Sequence, residues 1–184
     1  MYRLLTIFVL VAGLIFLTGC SGGSALDNTS AAVFLTVEIE QYNPEVNVCA
    51  VAGDLTIESM NIESKPKNPD VALTANQGVN LQDWEITVRR TDGGTVTSPD
   101  WYNAVPVFVP AGGIAALENY RIYPEEYLDD PPFNYLFPEN GGVDPETGTS
   151  FVREGLNLVI HGSVVSGKAI STQPVEVSFR FYCN

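Results

Sequence analysis

Few residue types in this sequence have the means to do chemistry, and their spacing narrows the set further. The only histidine, His161, lies in GLNLVIHG. A nucleophile–histidine–acid triad would have to use it, yet no nucleophile elbow accompanies it. Alternation along the run puts His161 on one face with Asn157 and Val159, opposite Leu156, Leu158 and Ile160, which predicts an exposed histidine at the end of a strand. Residues 162–169, GSVVSGKA, nearly match the phosphate-loop pattern G-x-x-x-x-G-K-[ST]. Ala169 has no hydroxyl for magnesium, and the stretch links two strands, whereas a phosphate loop must open a helix whose amides face the anion. It reads as a hairpin turn.

Residues 120–138, YRIYPEEYLDDPPFNYLFP, hold six aromatics (Tyr120, Tyr123, Tyr127, Phe133, Tyr135 and Phe137), four acids (Glu125, Glu126, Asp129 and Asp130) and four prolines. Two readings stand. Rings beside acids could stack on sugars or hold cations, with prolines limiting the entropy lost on binding; or the rings could cover an open end of a hydrophobic core. Just beyond, Glu139, Asp144 and Glu146 stand among turn glycines. Calcium takes several oxygens from a tight loop, so calcium is the one cofactor to consider, although the EF-hand ligand order is missing. A glycosidase needs two carboxyls at a set separation across a cleft. Adjacent loop acids seldom provide that, and no enzyme is expected.

The chain opens MYR and continues with an uncharged apolar run over residues 4–17. Fourteen helical residues span roughly 21 Å, short of the roughly 30 Å hydrocarbon core, but of signal-peptide length. The run ends Leu17-Thr18-Gly19-Cys20, which resembles the lipobox of bacterial lipoproteins. The resemblance implies cleavage before Cys20, a diacylglyceryl group on its sulfur and a further acyl chain, such as palmitate, on the new amine. It places the protein in a bacterial cell envelope, held to the membrane by lipid at about 0.8 kcal/mol per buried methylene. Ser21, standing where inner-membrane lipoproteins commonly carry Asp, favours the outer membrane if the organism is Gram-negative. The resemblance covers 20 residues and brings no molecular activity.

With residues 1–19 removed, Arg3 leaves and 22 acids face eight Lys and Arg, a net charge of −14 against −13 for the full chain. Such a chain repels phosphate backbones, so nucleic acid is not an expected partner. Nor should the chain as a whole be drawn to anionic lipid, which leaves anchoring to the acyl chains. If Cys20 carries lipid, Cys49 and Cys183 remain as a pair in an oxidising compartment. A disulfide between them would close most of the mature chain, contributing on the order of 4 to 5 kcal/mol at most in loop-entropy models. It would also leave no thiols for zinc, which takes several nitrogen or sulfur ligands.

The elements that must position these residues are strands. Residues 20–31, small and polar, read as a flexible tether before one domain over residues 32–184. There, Val33, Leu35, Val37 and Ile39 alternate with polar neighbours, the period-2 mark of a half-buried strand. Leu55 and Ile57, then Met60 and Ile62, repeat it with a phase slip near Ser59 that predicts a bulge. WEITVRR points Trp84, Ile86 and Val88 inward, and Asp92-Gly93-Gly94 supplies a turn. Pro106 and Pro110 make AVPVFVP an edge strand. Val175, Val177, Phe179 and Phe181 share the inner face of the closing run. Only YPEEYL suggests a helical turn, begun at Pro124. The reading is an all-β antiparallel sandwich of seven or eight strands, with a long loop over residues 120–150. The closing hairpin resembles immunoglobulin-like or fibronectin-like domains, and Trp84 is the candidate to stand beside a cross-sheet disulfide. The function expected is that of a non-catalytic envelope module that binds or braces another protein; the alternative is a carbohydrate- or calcium-binding module using residues 120–146.

Overall fold

The computed structural model describes residues 31–184; the leader, Cys20 and nearly all of the expected tether lie outside the described residues. The described chain is a β-sandwich of ten strands, more than the seven or eight expected: β1 (Val33–Tyr42), β2 (Glu45–Asn47), β3 (Leu55–Pro66), β4 (Val79–Arg90), β5 (Trp101–Ala104), β6 (Phe108–Val109), β7 (Ile114–Tyr123), β8 (Phe151–Val164), β9 (Ala169–Ser171) and β10 (Val175–Tyr182). The extra members include the short β2, β5 and β9, and also the ten-residue β7, where no strand was expected and whose last four residues were expected in the long loop. Of the valine-rich run only Ala104 and Phe108–Val109 are strand, with Pro106 between them; β5 lies mostly ahead of the run, and β5 and β6 pair separately with β4. One sheet has the order β1-β3-β7; the other runs β2-β10-β8-β4-β5, with β6 on β4 and β9 on β8. Every pairing is antiparallel except β2 with β10.

Alternation sets which side chains fill the space between the sheets. Val33, Leu35, Ile57, Met60, Ile62, Trp84, Ile86, Leu156, Leu158, Ile160, Val177, Phe179 and Phe181 are all buried. The phase slip in β3 has its cause in a register change: Ile39 opposes Met60, Gln41 opposes Ser59 and Tyr42 opposes Ile57. Glu40 is thus an extra residue on β1, and Glu58 one on β3. Glu40 uses the irregularity, accepting from Ser59 Oγ at 2.8 Å and Asn61 Nδ2 at 2.6 Å.

The register also defines two ends. At the entry end, next to residue 31, Val33 opposes Pro66 and Val79 opposes Val164. At the far end Leu55 opposes Tyr123, Arg90 opposes Glu154 and Tyr182 opposes Phe151. One side of the sandwich is sealed by side chains of β5 and β7. Trp101 Nε1 donates to Ile122 O at 2.9 Å, Asn103 Nδ2 to Arg121 O at 3.5 Å, and the Tyr120 hydroxyl to Ala104 O. Unpaired edge carbonyls, which would otherwise template pairing with another chain, are occupied. The 162–169 stretch is the expected hairpin turn, joining β8 to β9.

Cys49 and Cys183 form a disulfide with Cα atoms 5.2 Å apart. Cys49 lies two residues past β2 and Cys183 directly past β10, and these strands are parallel neighbours. The bridge therefore staples one sheet at its edge. It does not cross between sheets, and Trp84, on β4 with β8 intervening, is not its companion. Replacing both cysteines by alanine should lower the unfolding free energy by about 2–5 kcal/mol, with β2 the first element to loosen. Urea melts and amide exchange at residues 45–48 check this; unchanged stability would show that β2 is held without the bridge.

Candidate functional site

The segment that most invited a functional reading closes the far end of the core. Three 3-10 turns, Glu125–Asp129, Phe133–Leu136 and Pro138–Asn140, fold it back over the sandwich. The first begins after Pro124, as expected. Leu128, Phe133 and Leu136 are buried, and so is Tyr123 at the end of β7. Phe133 meets Phe181 at 4.2 Å between centroids and Tyr123 at 5.8 Å, with Tyr127 edge-on to Tyr123 at 6.0 Å. Tyr120 packs against Trp84 at 4.6 Å. Tyr127 and Phe137 rest on the core, and Tyr135 is half-buried. The six rings are thus not gathered on one exposed surface: Tyr123, Tyr127 and Phe133 cover apolar surface at the far end of the sandwich, while Tyr120 lies at the side seam.

Beneath this lid lies a cluster that our reading of the sequence did not single out. The Arg90 side chain is 1% exposed. Its Nε and Nη2 donate to Asp92 at 2.8 and 2.9 Å, Nη2 also to Asp144 Oδ2 at 2.7 Å, and Nη1 to Val96 O at 3.0 Å. Asp92 also accepts from the amides of Gly94 and Arg153. Glu146 takes the amides of Thr95 and Val96, at 2.6 and 2.9 Å, and the Thr95 hydroxyl. Burial would raise both aspartates, but the bonds and charge of Arg90, together with the amides of Arg153 and Gly94 on Asp92 and the Thr147 hydroxyl and Glu146 amide on Asp144, outweigh it and hold them below the ordinary carboxylate range. Burial likewise opposes the Arg90 charge, and its two carboxylates push its pKa up. Glu139, Asp144 and Glu146 are therefore not gathered as a calcium cage: Asp144 and Glu146 face a cation already present, and Glu139 sits apart in the Pro138–Asn140 turn.

Next to it Glu154 is fully buried, accepting from Ser98 N at 3.1 Å, Ser98 Oγ at 2.6 Å and the Tyr123 hydroxyl at 3.1 Å. Burial raises its pKa, and burial with the Glu154 charge raises Tyr123 well above its usual value. The clue to both buried charges was parity. Arg90 follows Trp84, Ile86 and Val88 in phase, and Glu154 shares its phase with Val152, Leu156 and Leu158, so each is an inward charge on an otherwise apolar face.

His161 is not at a strand end. It lies within β8, bonded through Nδ1 to Ser171 Oγ at 2.8 Å, with Nε2 3.5 Å from Glu85. This set is half-exposed on the outer face of the sheet. A cleft of about 390 Å³ opens at the far end, floored by Val46, Leu55 and Phe179 and rimmed by Glu45, Asp54 and Glu58. Asp54 is taken up by Arg121 and the Glu125 amide, and Glu45 by Arg180.

No protein-family model matches this sequence, and no curated protein matches it. Among solved structures, a Northeast Structural Genomics Consortium target is similar over 84% of this chain and 89% of its own, at 12% identity and a TM-score of 0.35. A protein from Archaeoglobus fulgidus is similar over 80% of this chain and 93% of its own, at 12% identity and a TM-score of 0.37.

Two outcomes follow from the cluster. A Cβ on Gly94 would lie 2.4 Å from the guanidinium carbon of Arg90, so Gly94→Ala should cost about 1–3 kcal/mol by overpacking, visible in a urea melt. Asp144→Asn should cost about 3–5 kcal/mol at pH 7, because it strips a charge from a buried pair. The loss should shrink as pH falls through the lowered Asp144 pKa, since a depressed carboxylate stabilises above its unfolded value and not below its folded one. Glu154→Gln has the opposite sign: the raised pKa makes the wild-type carboxyl most favourable at acid pH, so its advantage over Gln should decline as pH rises. Stability curves for the three proteins from pH 3 to 9 check both signs.

Proposed function

We propose that this chain is a non-catalytic, lipid-anchored lipoprotein of a bacterial cell envelope whose sandwich binds or braces another envelope component. The observation that carries the reading is the order of the leader: one early positive charge, an apolar run of signal length, then Leu17-Thr18-Gly19-Cys20. Outer-membrane placement is favoured by Ser21. The non-catalytic reading draws on the absence of a coherent catalytic set in the sequence, and on Asp144 and Glu146 serving as acceptors within the fold. A carbohydrate- or calcium-binding role for residues 120–146 has less to stand on, with Tyr123 and Phe133 interior and Asp144 bound to Arg90. The far end, with its cleft and exposed acids, is the surface offered for a partner, and its charge suits a basic one.

Cys20→Ala should abolish lipid attachment and processing and move the protein out of the membrane fraction. Intact-mass measurement and fractionation of cells expressing the full chain read this directly; unaltered processing and partitioning would end the anchored reading. Photo-crosslinkers at Ala50 and Glu126, both exposed at the far end, should give one reproducible adduct in cells. Silence at both sites would remove the partner from this surface.

A further inference from the structure

The two ends of the sandwich are chemically unlike. Five of the seven large hydrophobic side chains exposed on the described residues lie at or near the entry end. Val71 and Val165 sit on its loops, and Phe108 covers Gly78 beside them. Phe34 and Ile114 stand close by, opposite Lys65 and Glu63 of β3. All three lysines of the chain belong to this end: Lys65, Lys67 and Lys168, with Lys65 paired to Glu63 at 2.9 Å. Its loops, residues 67–78, 110–113 and 165–168, contain a single acid, Asp70, whereas the far-end loops 43–54, 91–100 and 124–150 contain eleven. A net charge of −14 thus hides a segregated distribution. The long strand β8 separates the two ends by on the order of 40 Å, several Debye lengths at physiological salt, so a surface at the entry end meets that end's charge and not the whole molecule's.

From these observations we infer that the entry end lies against the bilayer, with Phe108 and Val165 entering the headgroup region and the lysines meeting anionic lipid. The chain enters the domain at this end, and the eleven residue steps from Cys20 to residue 31 reach at most about 40 Å when fully extended. A lipid on Cys20 therefore keeps these side chains within contact distance of the membrane. Apolar tips flanked by basic side chains are the chemistry that binds a lipid–water boundary, and a lipid chain plus a basic patch hold more firmly than either does. The acidic far end and its cleft then face away, open to a partner. The bilayer's position rests on the lipid-anchor reading; the choice of end does not.

The test uses the full chain in vesicles of phosphatidylcholine and phosphatidylglycerol carrying brominated acyl chains, which quench nearby tryptophan. Trp84 and Trp101 are buried and form a common background. Phe108→Trp and Val165→Trp should each be quenched about threefold or more beyond Val143→Trp at the far end, as expected for residues in the interface. Two positions are used because Phe108 packs on Gly78. Equal quenching at all three, or none while the protein still floats with the vesicles, overturns the orientation and leaves the anchor intact. If Cys20→Ala floats as well as wild type and the quenching contrast persists, the anchor reading fails and the apposed end stands. No flotation of wild type removes both.

Discussion

A guanidinium enclosed by two carboxylates organises the far end of this sandwich. Taking Arg90 out of water is costly, and a buried pair adds little net stability over apolar residues that pack well. Its effect is positional. Arg90 belongs to β4, Asp92 to the turn after it, Val96 to the segment leading to β5, and Asp144 to the long loop before β8. The strand end, the turn after it and the segment beyond converge with the distant loop before β8 on one planar ion, and each is held because the ion's donors need it. The Asp92 carboxylate extends the grip to β8 through the Arg153 amide. Once these backbones are fixed, Ser98 stands where its amide and hydroxyl meet Glu154.

The lid depends on that arrangement. With Asp144 pinned, the three 3-10 turns are tethered at both ends, by β7 before them and by the ion cluster after them. The rings between then fill the gap above Phe181. Asp144 and Glu146, considered as calcium ligands, serve as structural acceptors, while Glu125, Glu126, Asp129 and Asp130 remain exposed and give the end its negative surface. The same logic gives the molecule its polarity: every Arg of the described chain stands at or near the far ends of strands, all but one of them bonded or paired to nearby acids, and the lysines stand at the other end.

Much of the architecture was legible along the chain because burial on one side of a sheet writes itself as alternation. The inward sets of β1, β3, β4 and β10, the bulge near Ser59 and the hairpin turn at residues 162–169 all follow from period and turn chemistry, which are local. The strand count was not, since β5 and β7 carry burial patterns too irregular to read as alternation and are revealed only by their pairing with β4 and β3. His161 was assigned to the correct face but to a strand end, because β8 continues past Gly162 with no polar signal to mark it.

The sequence by itself determined the all-β class and the pairing of Cys49 with Cys183, since each depends on residue type and order alone. Only the tertiary structure decided that this disulfide joins neighbours in one sheet, that the aromatic segment is lid more than platform, and that Asp144 answers Arg90. Those outcomes depend on which residues far apart in sequence are brought within a few ångströms. An inward charge announces through its phase that it needs a partner; it takes the folded chain to say which one it found.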